Sequence, residues 1–220
     1  MTQNVIRPIL ERLGMLDGNE WLIKKLDLRR RQADHFQYMS RHFSFDIRDA
    51  TFIDLGPGTG ESLQIAKHLG ATAIGIDAAS GEGGMGDPYL AVCREIIRAR
   101  QLDVRCVGAL SIDRELKKNS VDFINSRGSI EQILCQWMRG KPHHTHQNCN
   151  LMHWKTNCHL GIGSFLEKCA AVLKPGGSIL IHANGAANTN VYDLALLGQA
   201  ARYNFRIKKH EDRLHRLTLE

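Results

Sequence analysis

Two carboxylates and three glycines, at fixed spacing, are the residues of this chain best placed to do chemistry. In Thr51-Phe52-Ile53-Asp54-Leu55-Gly56-Pro57-Gly58-Thr59-Gly60 an apolar run reaches an acid and breaks into alternating glycines. In Ala71-Thr72-Ala73-Ile74-Gly75-Ile76-Asp77 a second β-type run also ends in a carboxylate. A glycine backbone can take positive φ and let a ligand come within contact distance, while the first N–H groups of a following helix are open donors. A carboxylate at the tip of the neighbouring parallel strand can accept both hydroxyls of a ribose. Strand, glycine turn, helix and acid-tipped strand together suit a bound nucleoside.

The glycine spacing narrows the choice. A dinucleotide fingerprint, G-x-G-x-x-G, needs glycine at position 61, and the residue there is Glu61, which speaks against a nicotinamide oxidoreductase. The form present, acid-x-G-x-G-x-G from Asp54 to Gly60, resembles the first motif of the class I S-adenosylmethionine-dependent methyltransferases. Two later segments are similar to that family in order along the chain. Val121-Asp122-Phe123-Ile124-Asn125-Ser126 resembles its fourth strand, and Leu173-Lys174-Pro175-Gly176-Gly177 followed by Ser178-Ile179-Leu180-Ile181-His182-Ala183 resembles its turn and fifth strand.

The resemblance covers about residues 50 to 219. It implies a three-layer Rossmann-like α/β fold: a mostly parallel seven-stranded sheet with an antiparallel last strand, helices on both faces, and a crevice at the C-terminal strand ends where the connection order reverses. Asp54, Gly56, Pro57, Gly58, Thr59 and Gly60 would then wrap the methionine half of S-adenosylmethionine, and Asp77, with Ala78 beside it, would take the ribose. Family members often place an acid against the adenine; here those positions are Ala109 and Leu110, so the implied contact is apolar stacking or a backbone hydrogen bond. Carbonyls at Asn125 and Ser126 would receive the methionine ammonium.

The elements that must position these residues are legible in the chain. Residues 1–48 read as an N-terminal helical cap, with Ile6, Leu10 and Leu13 at helical spacing and a second amphipathic stretch from Trp21, Leu22, Leu26 and Leu28. In small-molecule methyltransferases such helices form a lid, which makes Gln37, Tyr38 and Arg41 candidates near the carboxylate end of the cofactor. The resemblance implies that residues 49–220 form the S-adenosylmethionine-binding methyltransferase domain. A helix from about Glu61 to Leu69 ends at Gly70, a second strand spans about 72–76, and a glycine-rich segment follows Asp77. A helix at about 89–100 leads to a third strand at Val104–Leu110. A helix over Gly163–Leu173 is stopped by Pro175, Gly176-Gly177 supply a turn, and a last helix spans Tyr192–Tyr203. Phe205–Lys208 and Leu214–Leu219 alternate as an antiparallel terminal pair.

The segment 132–161 changes character, gathering five of the eleven histidines with Cys135, Cys149 and Cys158. No two-plus-two ligand spacing appears, and adjacent His143 and His144 cannot readily share one ion, so no metal is expected. It reads as an insertion lining an acceptor pocket, with Trp137 and Trp154 as anchors. Candidate general bases are Glu131 after the fourth strand, His182 closing the fifth, and His153 in the insertion.

Composition is that of a globular domain, 43% hydrophobic and 24% charged over 220 residues. With no membrane-span or signal-peptide core, and six cysteines without framework spacing, a cytoplasmic protein with reduced thiols is expected. A net charge of +6 admits an anionic partner, yet apart from Arg29-Arg30-Arg31 the basic residues are scattered, and nucleic acid is not favoured. Asn125-Ser126-Arg127-Gly128 is no N-P-P-Y-like tetrad and holds no Pro-Cys pair, which disfavours amino groups of adenine or glutamine and the carbon of cytosine. The leading acceptor is a small molecule methylated on oxygen or nitrogen. The alternatives are an RNA or protein acceptor, or a non-catalytic cofactor-binding partner subunit.

Overall fold

A computed structural model describes residues 6–14, 17, 26–43, 47–77, 88–130, 133, 161–182, 196, 198–211 and 214–220. Its elements are α1 (Ile6–Arg12), α2 (Leu28–Phe43), β1 (Thr51–Leu55), α3 (Glu61–His68), β2 (Thr72–Ile76), α4 (Pro88–Ala99), β3 (Asp103–Arg105), a short α5 (Ile112–Glu115), β4 (Val121–Arg127), α6 (Gly161–Val172), β5 (Leu173–His182), β6 (Phe205–Glu211) and β7 (Leu214–Leu219).

The seven strands form one sheet in the order β3-β2-β1-β4-β5-β7-β6. Pairing is parallel from β3 through β5, while β7 runs antiparallel to both β5 and β6. The mostly parallel seven-stranded sheet with an antiparallel last strand is therefore present. The chain leaves β1 toward β2 and β3 on one side and returns to β4 on the other, so the switch point lies between β1 and β4, directly above the glycine turn.

Each strand divides its side chains between two packed faces. Ile53, Leu55, Ile124, Ile179 and Ile181 join one core with Ile112 of α5 and Phe165, Leu166 and Cys169 of α6. On the opposite face Phe52 and Leu180 pack with Leu63 and Ala66 of α3 and with Tyr38, Met39 and Phe43 of α2. A third cluster joins Ile9 and Leu10 of α1, Leu26 and Leu28 to Val92 and Ile96 of α4. The N-terminal helices thus share apolar cores with the sheet domain.

α3 ends as its sequence predicts. Gly70 sits at φ +90°, its N–H donates to Lys67 O and that of Ala71 to Ala66 O, a paired closure that only a residue at ease with positive φ completes cheaply. Two boundaries differ from the sequence reading. The third strand stops at Arg105 instead of running to Leu110, because the Val107 N–H turns back onto Arg105 O at 3.0 Å and Ala109–Ser111 coil into a 3₁₀ turn. The fifth strand starts earlier: Val121 pairs with Leu173 and Phe123 with Ser178, so Lys174-Pro175-Gly176-Gly177 form a bulge inside β5, with Gly176 at φ +78°. Of the expected last helix, residues 196 and 198–200 are helical and Ala201–Tyr203 is a 3₁₀ turn, the rest lying outside the described residues. No helix among the described residues is long and apolar enough to cross a membrane.

Candidate functional site

The glycine turn leaves β1 with Gly56, Gly58 and Gly60 at φ +67°, +58° and +81°. All three lie in the left-handed region that side chains avoid. At Gly56 the space is also taken, since a Cβ there would lie 2.7 Å from Ser129 Cβ. At Gly58 it is open, and a Cβ would meet only Tyr89 Oη at 3.4 Å and Arg31 Nη2 at 3.6 Å. The Gly56 N–H donates to Ile76 O and Gly60 N–H to Pro57 O, both at 2.9 Å, which ties the turn to β2 and closes it on itself. Asp77 follows directly from β2, half-buried, its N–H on Arg105 O of β3.

Asp54 is 3% exposed and does not face solvent. One of its oxygens accepts the Asn125 side-chain N–H at 2.7 Å, and Asn125 Oδ1 accepts the Tyr38 hydroxyl at 3.0 Å. Asp54 and Asn125 are register partners on β1 and β4, so the amide bridges adjacent strands while Tyr38 pins α2 over them. Burial pushes the Asp54 carboxyl up to about 7, against the Asn125 hydrogen bond that favours the ionised form. Burial likewise pushes the Tyr38 phenol upward, which keeps it a donor. Ser126 Oγ pairs with Ser129 Oγ at 2.9 Å, and Ser129 donates to Leu55 O at the mouth of the turn.

A second cluster stands beside the turn. Glu61, the first residue of α3, has no exposed surface and faces Arg31 of α2 at 3.6 Å and Arg100 beyond α4 at 3.5 Å. Thr59 donates its hydroxyl to the same carboxylate, and Arg100 also donates to Thr59 O at 2.7 Å. Burial alone would raise the Glu61 carboxyl; Arg31, the Thr59 hydroxyl and Arg100 outweigh it and hold it below its ordinary value. Arg31 is held above its ordinary value by the same carboxylate, whereas burial dominates at Arg100 and lowers it. Both remain cations at neutral pH, because a guanidinium starts above about 12. His35 meets Ser62 Oγ at 2.8 Å, and burial followed by the nearby Arg127 charge lowers the imidazole to about 4, so it is neutral at pH 7.

One helix face makes these contacts. Arg31, His35, Tyr38 and His42 recur on α2 at i, i+4, i+7 and i+11, a single stripe lying along the C-terminal strand ends. Past Tyr38 the stripe roofs a cavity of about 250 Å³. Its floor is a register row across three strands, Arg127 of β4, His182 of β5 and Leu214 of β7, and its roof includes Asp34, Gln37 and Arg41. The Tyr38 ring stacks on His182 at 6.1 Å and 17°, and the Arg127 guanidinium carbon lies 4.7 Å from the Tyr38 ring centre.

The structure thus gathers Asp54, Gly56, Pro57, Gly58, Thr59, Gly60, Asp77, Asn125 and Ser126 around the switch point, and His182 beside it. Ala109 is buried in the apolar core and Leu110 packs half-buried against it, both in the 3₁₀ turn rather than at a strand end. Gln37, Tyr38 and Arg41 line the cavity. Ala78, Glu131, His153 and, except for Ile133 and Gly161, the segment 132–161 lie outside the described residues. The sequence reading missed Arg31, His35, Arg100 and Arg127, and it took Glu61 only as a departure from another motif. The polar stripe at helical spacing was the available signal for the first two.

No family model matches the chain, and no curated protein matches it. Solved structures do. A SAM-dependent methyltransferase from Archaeoglobus fulgidus aligns with a TM-score of 0.53 at 14% identity, over 80% of this chain and 71% of the other. One from Aquifex aeolicus aligns at 0.51 and 16%, over 84% and 88%. The [4+2]-cyclase SpnF aligns at 0.51 and 17%, over 83% of this chain and 59% of its own. At these identities the likeness is one of fold: the chain has the Rossmann-like class I methyltransferase fold.

Proposed function

We propose that this chain binds S-adenosylmethionine at the glycine turn and transfers its methyl group to an oxygen or nitrogen of a small molecule. The observation carrying the proposal is the turn itself: three positive-φ glycines at the switch point, open above Gly58, with an acid at the tip of the next strand. A side chain at position 58 would fill that opening. Asp77 suits a ribose diol, the carbonyls at Asn125 and Ser126 suit an ammonium, and the turn needs no pyrophosphate. When bound, S-adenosylmethionine supplies a methyl group already activated by its sulfonium.

The chain's own residues then have two tasks. They must hold the acceptor atom in line within about 3–3.5 Å of the methyl carbon, and they must remove a proton where the nucleophile carries one. The cavity beside the turn is the acceptor site in this reading, roofed by α2 and floored by His182, which is the base candidate among the described residues; Glu131 and His153 remain candidates on sequence grounds. The protein would be a cytoplasmic enzyme acting on a small molecule, with nucleic acid the less favoured acceptor.

Calorimetric titration with S-adenosylmethionine, S-adenosylhomocysteine and NADH tests the cofactor. Binding of the first two, lost in Asp77→Ala while the protein stays folded, supports the reading. Binding of NADH alone would replace it with an oxidoreductase. Tight binding of the first two with no turnover over a broad acceptor panel would favour a non-catalytic partner subunit, a live distinction because one fold hosts different chemistries.

A further inference from the structure

We infer that the cavity between α2 and the ends of β4, β5 and β7 selects an acceptor carrying a carboxylate or phosphate, held by Arg127 and Arg41. The inference rests on the methyltransferase reading and adds the charge class of the substrate. Two guanidiniums and two imidazoles, His42 and His182, border the cavity, against one carboxylate, Asp34. Arg127 is the informative member. Its Nη1 is buried and has no hydrogen-bond partner among the described residues, and its guanidinium carbon lies 4.7 Å from the Tyr38 ring centre. A buried guanidinium nitrogen without an acceptor is costly, and an anionic ligand is the group that relieves it. Asp54, the buried carboxyl on the same face of the sheet, is held on Asn125 and pushed toward its neutral form.

The source of the anion follows from placement. S-adenosylmethionine carries a carboxylate of its own, but Arg127, His182 and Leu214 form a row running from β4 across β5 to β7, away from the turn on β1. Near the turn the guanidinium at hand is Arg31, 3.6 Å from where a Gly58 Cβ would lie. A volume of about 250 Å³ falls at or below the lower end for drug-sized sites, so a small metabolite fits better than a polymer end.

The test is calorimetry on the full chain with phenyl phosphate and benzoate, and with benzyl alcohol as a neutral match in size, each titrated with and without saturating S-adenosylhomocysteine. At least one anion should bind, the alcohol should not, and saturating S-adenosylhomocysteine should leave anion affinity intact or improve it. Arg127→Gln and the exposed Arg41→Gln should each weaken the anion at least about tenfold, the loss of one charge-assisted hydrogen bond. An unchanged far-UV circular dichroism spectrum and thermal midpoint show that each variant is folded. Competition between the anion and S-adenosylhomocysteine would assign the guanidinium to the cofactor carboxylate and overturn the inference. So would equal affinity for the alcohol, or anion binding indifferent to both substitutions. Failure of S-adenosylhomocysteine to bind the wild type would instead remove the methyltransferase reading on which the acceptor role depends.

Discussion

Replacing Glu61 by Gln isolates what fastens α2 to the glycine turn. The carboxylate is fully buried, Arg100 is 1% exposed, and Arg31 is 28% exposed. Removing one member of a buried ion pair leaves the other as an uncompensated charge, at a cost of about 3–5 kcal/mol. The amide keeps a hydrogen-bond acceptor for Thr59 and Arg100, so the lower end applies if the site relaxes. For a chain of this length 1 kcal/mol corresponds to roughly 2–4 °C, so thermal unfolding should fall by about 6–20 °C. Glu61 sits below its ordinary value in the folded state, so its stabilisation is fully present above about pH 4.5 and is lost as pH falls through the folded value. The gap between wild type and Glu61→Gln, read by urea denaturation, should therefore be flat from pH 6 to 8 and close on acidification. In the double variant with Arg100→Gln the losses should be sub-additive by at least about 1 kcal/mol. A gap under about 1 kcal/mol at pH 7, or strictly additive losses, would refute the latch.

Three further perturbations read other parts of the site. Asp54 behaves with the opposite sign: its folded value is raised to about 7, so its contribution is present below about pH 4 and lost as pH climbs to 7, and Asp54→Asn should gain on wild type across that window by up to about 4 kcal/mol, then level off; a pH-independent difference in urea midpoints would contradict the buried carboxyl. Tyr38→Phe strips Asn125 Oδ1 of its donor and should cost about 1–3 kcal/mol in denaturant titrations, whereas an unchanged midpoint would mean that the hydroxyl does not fasten α2. Gly56→Ala meets positive φ and Ser129 Cβ at 2.7 Å, while Gly176→Ala meets positive φ with nothing within 4 Å, so the first should lose about 1–3 kcal/mol more than the second, and equal losses would remove the steric argument.

Much of the fold could be read from the chain because parallel strands buried on both faces appear as short apolar runs, as at Thr51–Leu55 and Thr72–Ile76, and glycines mark where they stop. The misjudged boundaries have local causes. Val104–Leu110 has strand-like composition, but among the described residues β3 has only β2 beside it, and the Val107 turn lifts the chain away once that single ladder ends. Lys174–Gly177 reads as a turn because Pro and Gly make one; that the turn sits as a bulge within β5 depends on the register with Val121, which only the neighbouring strand sets. Ala109 was legible as a position after the third strand, and its place in the apolar core was not, since a 3₁₀ turn decides it.

The N-terminal helix was harder to read for a reason that bears on function. Periodicity finds a helix face by its apolar residues, and Leu28, Met39 and Phe43 of α2 do pack in the cores. The stripe that meets the strand ends is Arg31, His35, Tyr38 and His42, which a sequence pattern assigns to solvent. A helix presents a polar stripe inward only where the surface beneath supplies partners, and here Glu61, Ser62 and Asn125 each take one member. The sheet answers in kind: at the upper ends of β1, β4 and β5 the residues on that face are Asp54, Asn125, Arg127 and His182, while Ile53, Leu55, Ile124, Ile179 and Ile181 line the other face of the same strands, with Ser126 its polar member at the end of β4. Polar matter on both sides of one seam, at the switch point of the sheet, makes α2 part of the candidate site itself. Displacing that helix should therefore disturb the glycine turn and the cavity together, since Arg31 touches the first and Arg41 the second, ten residues apart on one rigid element.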